Sequence, residues 1–255
     1  MNTYTKKKAL WLLVVIGITL IFAVALAVYS YRHQPAAERT LRAFAWENRL
    51  SLDAWPQELL DVLKKNPEAE EFVLNYPLKK DLVAEIDLSE LQNCSEVPLL
   101  LQWDTRWGYM QYAGELMGLS GCGPTCLSMV CIYLLDDPTY DPRYIAQFAT
   151  ENGYSVPGNG SAWTLISEGG VKLGLDVTEI PLVESRIIRN LEAGNPIICV
   201  MGPGAFTTTG HFIVMTEYKD GYVKVNDPNS PYRSGAQWKL TEVMEQIRNL
   251  WVCRK

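Results

Sequence analysis

Residues 121–135 read GCGPTCLSMVCIYLL, and this segment decides the fold that we expect. Pro124 is typical of the first turn of a helix, where the N–H that proline lacks is not needed. The residues that follow it are apolar on nearly every side, and a helix of that kind has to be buried. The segment therefore predicts a central, buried helix with Cys122 just ahead of it.

A thiol at the start of a helix is placed for nucleophilic chemistry. The positive end of the helix dipole and the unpaired first-turn N–H groups stabilise a thiolate and lower the pKa of the cysteine. We expect Gly121 and Gly123 to keep side chains away from the sulfur of Cys122. The alternative is an inert cysteine in a loop bent by glycine, and the segment alone does not decide between them.

The chain contains only two histidines, and this count selects the base. His33 falls in the segment that follows the apolar N-terminal run, so His211 is the imidazole available to a soluble catalytic unit. It follows Gly210 and begins a predicted strand, where a base is both held and accessible. Any Cys–His catalysis therefore has to use His211. A hydrogen-bonded structural histidine is the alternative.

A third residue that orients the imidazole is predicted from a hairpin. The strands that begin at His211 and Tyr222 are expected to be joined by a three-residue loop, 219–221. In this register Asp227 lies diagonal to His211 on the same face, about 7–8 Å away at the backbone. A two-residue loop would instead bring Asn226 to that face. A simple turn-capping role for Asp227 is the alternative reading.

The whole of 96–255 is predicted to be an α+β unit, because helical patterns come first and antiparallel strands follow. A helix is expected over 162–173 with Ser161 as its N-cap, and another over 183–193. A buried strand is expected over 196–201.

The N-terminus carries the pattern of a membrane anchor. Three lysines at 6–8 precede the uncharged apolar run 9–29, whose 21 residues would span about 30 Å as a helix. We predict a cytoplasmic segment 1–8, a transmembrane anchor 9–29 and a catalytic unit outside the cytoplasm. A signal peptide cleaved near Ala27, which would leave a secreted protein, is the alternative. Residues 30–95 are predicted to form a helical stalk or cap, with helices at 38–52 and 57–65.

Composition argues against several functional classes. The formal net charge is −6 and no basic stripe is present, so nucleic acid is not expected as a partner. The six cysteines include no C-x-x-C pair and lack the spacing of a zinc site. A disulfide framework is not expected either, because disulfide-dense domains are much shorter than this chain. We expect neither a metal nor a cofactor.

Four blocks of the sequence together resemble the C39-like peptidases of the papain-like superfamily, over roughly 96–255. The blocks are VPLLLQ at 97–102, GCGPT at 121–125, GHFIV at 210–214 and NDPNS at 226–230. Some members of that family are parts of export transporters, whereas this chain resembles the exported or membrane-anchored bacterial type.

The resemblance implies a papain-like fold and a set of site residues. Cys122 would be the nucleophile, His211 the base and Asp227 the carboxylate that orients it. Gln102 would donate to the oxyanion beside the backbone N–H of Cys122.

The expected function is hydrolysis of peptide bonds in a peptide or protein substrate, through a thioester acyl-enzyme. A cell-wall peptide amidase or transpeptidase with the same triad, and an inert surface-binding module, are the alternatives. Four aromatic residues are candidates for a groove wall, although core packing is the commoner role for each: Trp107, Trp163, Phe206 and Trp238.

Overall fold

The structure, a computed structural model, describes residues 3–32 and 35–255. The chain forms two compact units that divide between Leu74 and Asn75. Four helices come first in the chain: α1 (Thr3–Arg32), α2 (Ala36–Glu47), α3 (Gln57–Lys65) and α4 (Glu70–Lys79).

Two of these helices can be compared with the helices predicted after the apolar run. The helix predicted over 57–65 is confirmed by α3 with the same bounds. Pro56 immediately precedes α3, and its fixed φ suits a helix start. The helix predicted over 38–52 is α2, which begins at Ala36 but ends five residues early, at Glu47.

The apolar run 9–29, for which we predicted a transmembrane anchor, lies within α1. Within 3–32 and 35–255, no helix is both long enough and apolar enough to cross a membrane. The predicted anchor is therefore not supported by the structure. Met1 and Asn2 of the predicted cytoplasmic segment, together with His33, lie outside the described residues.

The second unit is built from seven further helices around a sheet. Most of these helices are short, and α6 is the longest. They are α5 (Met117–Ser120), α6 (Cys122–Leu135), α7 (Pro142–Glu151), α8 (Gly170–Lys172), α9 (Glu184–Glu192), α10 (Pro231–Gly235) and α11 (Leu240–Met244).

Two small hairpins, β1–β2 and β3–β4, accompany a six-stranded sheet of order β5-β10-β6-β7-β8-β9. Neighbouring strands of the large sheet are antiparallel. The predicted α+β class with an antiparallel sheet is confirmed. The strands are β1 (Gln111–Tyr112), β2 (Glu115–Leu116), β3 (Ser155–Val156), β4 (Gly160–Ser161), β5 (Asp176–Glu179), β6 (Ile197–Met201), β7 (His211–Lys219), β8 (Tyr222–Asn226), β9 (Trp238–Lys239) and β10 (Ile247–Arg254).

The large sheet is covered on both faces, which explains the unbroken apolar run of β6. Ile198 and Val200 belong to the apolar cluster that contains α6, whereas Ile197 and Cys199 belong to the cluster that contains α9 and α11. Alternation along a strand sends successive side chains to opposite faces. The predicted burial of α6 is confirmed, since every residue from Gly123 to Ile132 is buried.

The helix predicted over 162–173 begins later than expected, since the helical residues run from Leu165 to Lys172. Ser161 lies in β4, and its hydroxyl is hydrogen-bonded to the hydroxyl of Tyr112 at 2.6 Å instead of capping a helix. A five-residue π-helical turn, Leu165–Gly169, follows and leads into the short α8. The N-cap prediction failed because a tertiary partner uses the serine side chain.

Candidate active site

Cys122 is the first residue of α6, and its thiol is half-buried at the N-terminal end of that buried helix. Close packing, rather than access to the sulfur, explains the two flanking glycines. A Cβ added to Gly121 would lie 2.5 Å from the backbone oxygen of Met117. One added to Gly123 would lie 2.5 Å from the Oγ of Ser161. The glycines therefore allow α5 and β4 to pack closely around Cys122.

The hairpin between β7 and β8 turns through two residues, Asp220 and Gly221, so the predicted three-residue loop 219–221 is wrong. Asp220 has φ 49° and Gly221 has φ 89°. Positive φ at both central positions suits a two-residue hairpin, and Asp-Gly is among the sequences that adopt it most readily.

A bulge in β7 nevertheless returns the strands to the register predicted at the site. Beyond Met215 the pairing slips by one residue, so that Val214 lies opposite Asn226. In this register Asp227 falls opposite Ile213. Ile213 and His211 are two residues apart on β7, so Asp227 and His211 lie on the same face of the hairpin. The bulge therefore offsets the shorter turn, and Asp227 rather than Asn226 faces the imidazole.

Cys122, His211 and Asp227 form one hydrogen-bonded row. The Nε2 of His211 lies 2.8 Å from the Oδ1 of Asp227. Its other nitrogen, Nδ1, is left for the hydrogen bond between the His211 and Cys122 side chains. His211 is 8% exposed and Asp227 is 0% exposed, so water competes little for these bonds. Asn226 instead donates to the backbone oxygens of Val97 and Pro98.

The electrostatics of the row favour a thiolate–imidazolium pair. Burial alone would raise the pKa of Cys122, but the hydrogen bond and charge of His211 hold it below its ordinary value. The backbone N–H groups of Phe212 and Gly123 lower the pKa of this thiol further. Burial alone would lower the pKa of His211, but Asp227 and Cys122 raise it to about 10.

The other five cysteines contrast with Cys122. Each is a free thiol whose pKa is raised, and burial is the largest cause in every case: Cys94, Cys126, Cys131, Cys199 and Cys253. A raised pKa leaves a thiol protonated and weakly nucleophilic. The reactive cysteine of the chain is therefore expected to be Cys122.

Arg233 belongs to the site, although no pattern in the sequence indicates it. Its Nε donates to the Oδ2 of Asp227 at 2.5 Å. Burial would raise the pKa of Asp227, but His211 and Arg233 together hold it below its usual range. Arg233 lies in the short α10, whereas Asp227 follows β8, so no single helical or strand period relates the two residues.

Gln102 is buried, and its side chain and its backbone both donate hydrogen bonds to backbone oxygens. Its Nε2 donates to the backbone oxygen of Gly118 at 2.9 Å, and its backbone N–H donates to the oxygen of Pro228 at 2.8 Å. Among the described residues, its Oε1 is one of three buried polar side-chain atoms without a hydrogen-bond partner. The predicted oxyanion role of Gln102 stays a prediction.

A cleft of about 420 Å³ opens over Cys122 and His211. A larger groove of about 590 Å³ lies against the β7–β8 hairpin, but neither a cysteine nor a histidine lines it, so we assign the proposed chemistry to the smaller cleft. The cleft is lined by Glu115, Leu119, Ser120, Cys122, Gly158, Asn159, Gly160, Ser161, Trp163, Val200, Thr209, Gly210, His211 and Phe212.

One of the four aromatic candidates lines this cleft. Trp163 is 47% exposed there and packs edge-to-face on the buried Trp251. Trp107 is buried in the core, and Phe206 packs against Trp238 with ring centroids 4.6 Å apart. Core packing thus accounts for the other three.

Comparison of the sequence with protein families gives a match over residues 94–255, which is more than half of the chain, to the Peptidase_C39 like family. The chain belongs to this family. C39-like proteins are related to cysteine peptidases, so membership indicates peptidase chemistry. No similar protein was found among curated sequences.

Three solved structures are similar to this C39-like chain. The peptidase domain of Streptococcus ComA, a bifunctional ABC transporter, is 17% identical with a TM-score of 0.46, covering 62% of this chain and 99% of that chain. A C39-like protein from Bacillus anthracis is 14% identical with a TM-score of 0.43, covering 64% and 96%. A double-glycine-motif protease from an AMS/PCAT transporter, solved with the leader peptide, is 16% identical with a TM-score of 0.36, covering 63% and 93%.

The pKa shifts of this C39-like site predict its pH dependence. We expect kcat/KM to fall near pH 10, where His211 loses the proton that the leaving amine requires. On the acid side, kcat/KM should fall only below the ordinary pKa of a cysteine, because that of Cys122 is lowered. A raised pKa of His211 also contributes stability that is complete below its unfolded value of 6.5 and is lost as the pH rises through about 10. Kinetics and thermal unfolding between pH 5 and pH 11 would check both limbs, and an alkaline limb near 7 would contradict the assignment.

Proposed function

We propose that this chain is a cysteine peptidase that hydrolyses peptide bonds through Cys122, His211 and Asp227. The observation that carries the proposal is the hydrogen-bonded row of these three side chains, with its lowered thiol pKa, at an open cleft. Nucleophile, base and orienting carboxylate in that order are the components of thiol-dependent acyl transfer.

In the proposed reaction, the Cys122 thiolate attacks the carbonyl carbon of the scissile peptide bond. The resulting tetrahedral oxyanion is stabilised by the backbone N–H of Cys122. His211, protonated in the resting pair, gives its proton to the leaving amine. The C–N bond then breaks, the amine leaves, and the acyl group remains as a thioester on Cys122. His211 then removes a proton from water, whose oxygen attacks the thioester and releases the carboxylate product.

Gln102 keeps a place in the proposed oxyanion site. A side-chain amide has two N–H donors, and Gly118 accepts one from Nε2 of Gln102. We assign the second to the oxyanion. Gly118 lies in α5, which is separated from Cys122 only by Gly121, so this amide is anchored beside the nucleophile.

Alkylation with iodoacetamide near pH 6 tests the catalytic pair. At this pH an ordinary thiol is less than about 1% thiolate, so Cys122 should react roughly 10-fold or more faster than Cys94 in the same sample. Cys94 is a matched internal control, since it is also half-buried and its pKa is raised. His211→Ala should remove the excess reactivity of Cys122. Equal rates for the two cysteines in the unaltered protein would rule out the proposed pair.

We also propose that the catalytic unit lies outside the cytoplasm, attached to the membrane by 9–29 or secreted after cleavage. The support is the pattern of the sequence, in which three lysines at 6–8 precede the apolar run 9–29. Cell fractionation with protease added to intact cells tests this location. A protease-protected protein in the cytosolic fraction would contradict it.

A further inference from the structure

We propose that Arg233 is a positioning residue, which fixes the Asp227 carboxylate so that Asp227 in turn fixes His211 for catalysis. The inference rests on the proposed function, because it gives a role to a residue beyond the triad. Its basis is that the two oxygens of Asp227 contact different partners.

Each carboxylate oxygen of Asp227 has its own donor. Oδ1 lies 2.8 Å from the Nε2 of His211 and accepts the backbone N–H of Asn229 at 2.8 Å. Oδ2 accepts the Nε–H of Arg233 at 2.5 Å. A carboxylate held at both oxygens cannot rotate about its Cβ–Cγ bond without breaking a charge-assisted hydrogen bond. The orientation of Oδ1 toward the imidazole therefore depends on Arg233 together with the backbone N–H of Asn229.

Arg233 is itself held in place by hydrogen bonds at its backbone N–H and at its backbone oxygen. Its backbone N–H donates to the Oγ of Ser230 at 3.0 Å, and its backbone oxygen accepts the indole N–H of Trp238 at 2.9 Å. The neighbouring Ser234 accepts the backbone N–H of Asp227 at 2.9 Å. These bonds fix α10 to the end of β8, so the guanidinium approaches Asp227 from a rigid base.

Charge balance gives a second, independent reason for an arginine at this position. With Cys122 as thiolate, the row alternates in sign from Cys122 through His211 and Asp227 to Arg233. Without Arg233, this buried row would carry an uncompensated negative charge, which is unfavourable away from water.

The ionisable groups around Asp227 show which of them keeps a positive charge beside this carboxylate throughout the proposed reaction. Within the described part of the chain, Asp227 interacts with the ionisable groups of His211 on β7, Arg233 on α10 and Cys126 on α6. Cys126 stays neutral because burial raises its pKa well above the ordinary value. Arg233 is therefore the cation that remains beside Asp227 after His211 has given up its proton.

The pH profile of kcat/KM in Arg233→Gln tests the inference. Loss of the guanidinium is expected to raise the pKa of Asp227, since a cation at this distance lowers a carboxyl pKa by about 1–3 units. A protonated Asp227 no longer supports the imidazolium that keeps Cys122 ionised, so the acid limb should move to higher pH by about one unit. Arg186→Gln is the matched control, because Arg186 is exposed on α9 and the charge change is the same. It should leave the profile unchanged. An acid limb in Arg233→Gln that coincides with that of the unaltered protein would overturn the inference.

Arg233→Lys keeps the charge and separates electrostatics from geometry. A lysine lacks the planar guanidinium, so we expect the acid limb to be retained while kcat/KM falls about 10-fold. Undiminished kcat/KM in Arg233→Lys would contradict the positioning role. If the unaltered protein shows no alkylation of Cys122 that depends on His211, the proposed function fails instead, and the two failures are thus distinguishable. Thermal unfolding of each variant identifies any loss that is due to folding.

Discussion

Replacement of Cys122 with alanine is expected to lower kcat/KM for peptide hydrolysis by a factor on the order of 10⁴ or more. The alanine provides no atom that can form the thioester, and the other five cysteines have raised pKa values that leave them protonated. Cleavage of an unfolded protein substrate, followed by mass spectrometry of the fragments, measures the loss.

Cys94→Ala provides the matched control for this experiment. Cys94 is half-buried like Cys122 but does not line the cleft, so the variant should hydrolyse at the rate of the unaltered protein. Thermal unfolding of both variants shows whether the folded state is retained. If the Cys122→Ala variant still hydrolyses the substrate, the thiol of Cys122 is not the nucleophile and the proposal is wrong.

Asp227→Asn is expected to reduce kcat/KM by about 10³- to 10⁴-fold, because it would stabilise the tautomer of His211 that cannot act as the base. Arg233 still requires an acceptor, so the oxygen of the new amide turns to Arg233 and its NH₂ faces the Nε2 of His211. Nε2 must then accept, and the proton moves to Nδ1, on the side of Cys122. The imidazole can no longer take the proton of the thiol.

Steady-state kinetics and thermal unfolding measure the effects of Asp227→Asn together, because loss of a buried charge beside Arg233 should also lower the melting temperature. Asp220→Asn is a suitable control. Asp220 is exposed in the hairpin turn at positive φ, a conformation that asparagine also adopts readily. Wild-type activity in Asp227→Asn would show that His211 does not depend on this carboxylate.

The parts of the fold that the sequence predicted well are those with strong local patterns. Apolar composition on all sides identified α6, and the proline followed by regularly spaced leucines identified α3. The strand at His211, an apolar run, and the strand at Tyr222, whose residues alternate in polarity, were also recognised. In each case the pattern reports burial directly, and no distant partner is needed to interpret it.

The features that sequence reasoning missed depend on tertiary partners. The bulge near Met215 leaves no mark in the sequence, yet it decides which residue faces His211. Ser161 is a favourable helix cap by type, but the hydroxyl of Tyr112 is its partner. Arg233 reaches Asp227 only because α10 packs against the end of β8. The strand β10, between β5 and β6, was also not predicted.

The two hydrogen bonds of Gln102 have a mechanical consequence. One ends on Gly118, four residues before Cys122, and the other on Pro228, directly after Asp227. A single buried side chain and its own backbone thus tie together the two chain segments that supply opposite ends of the row. Any motion that drew Cys122 away from Asp227 would have to break one of these ties. In the proposed peptidase, the reacting groups are consequently preassembled before a substrate arrives, and binding does not have to supply the free energy of bringing them together.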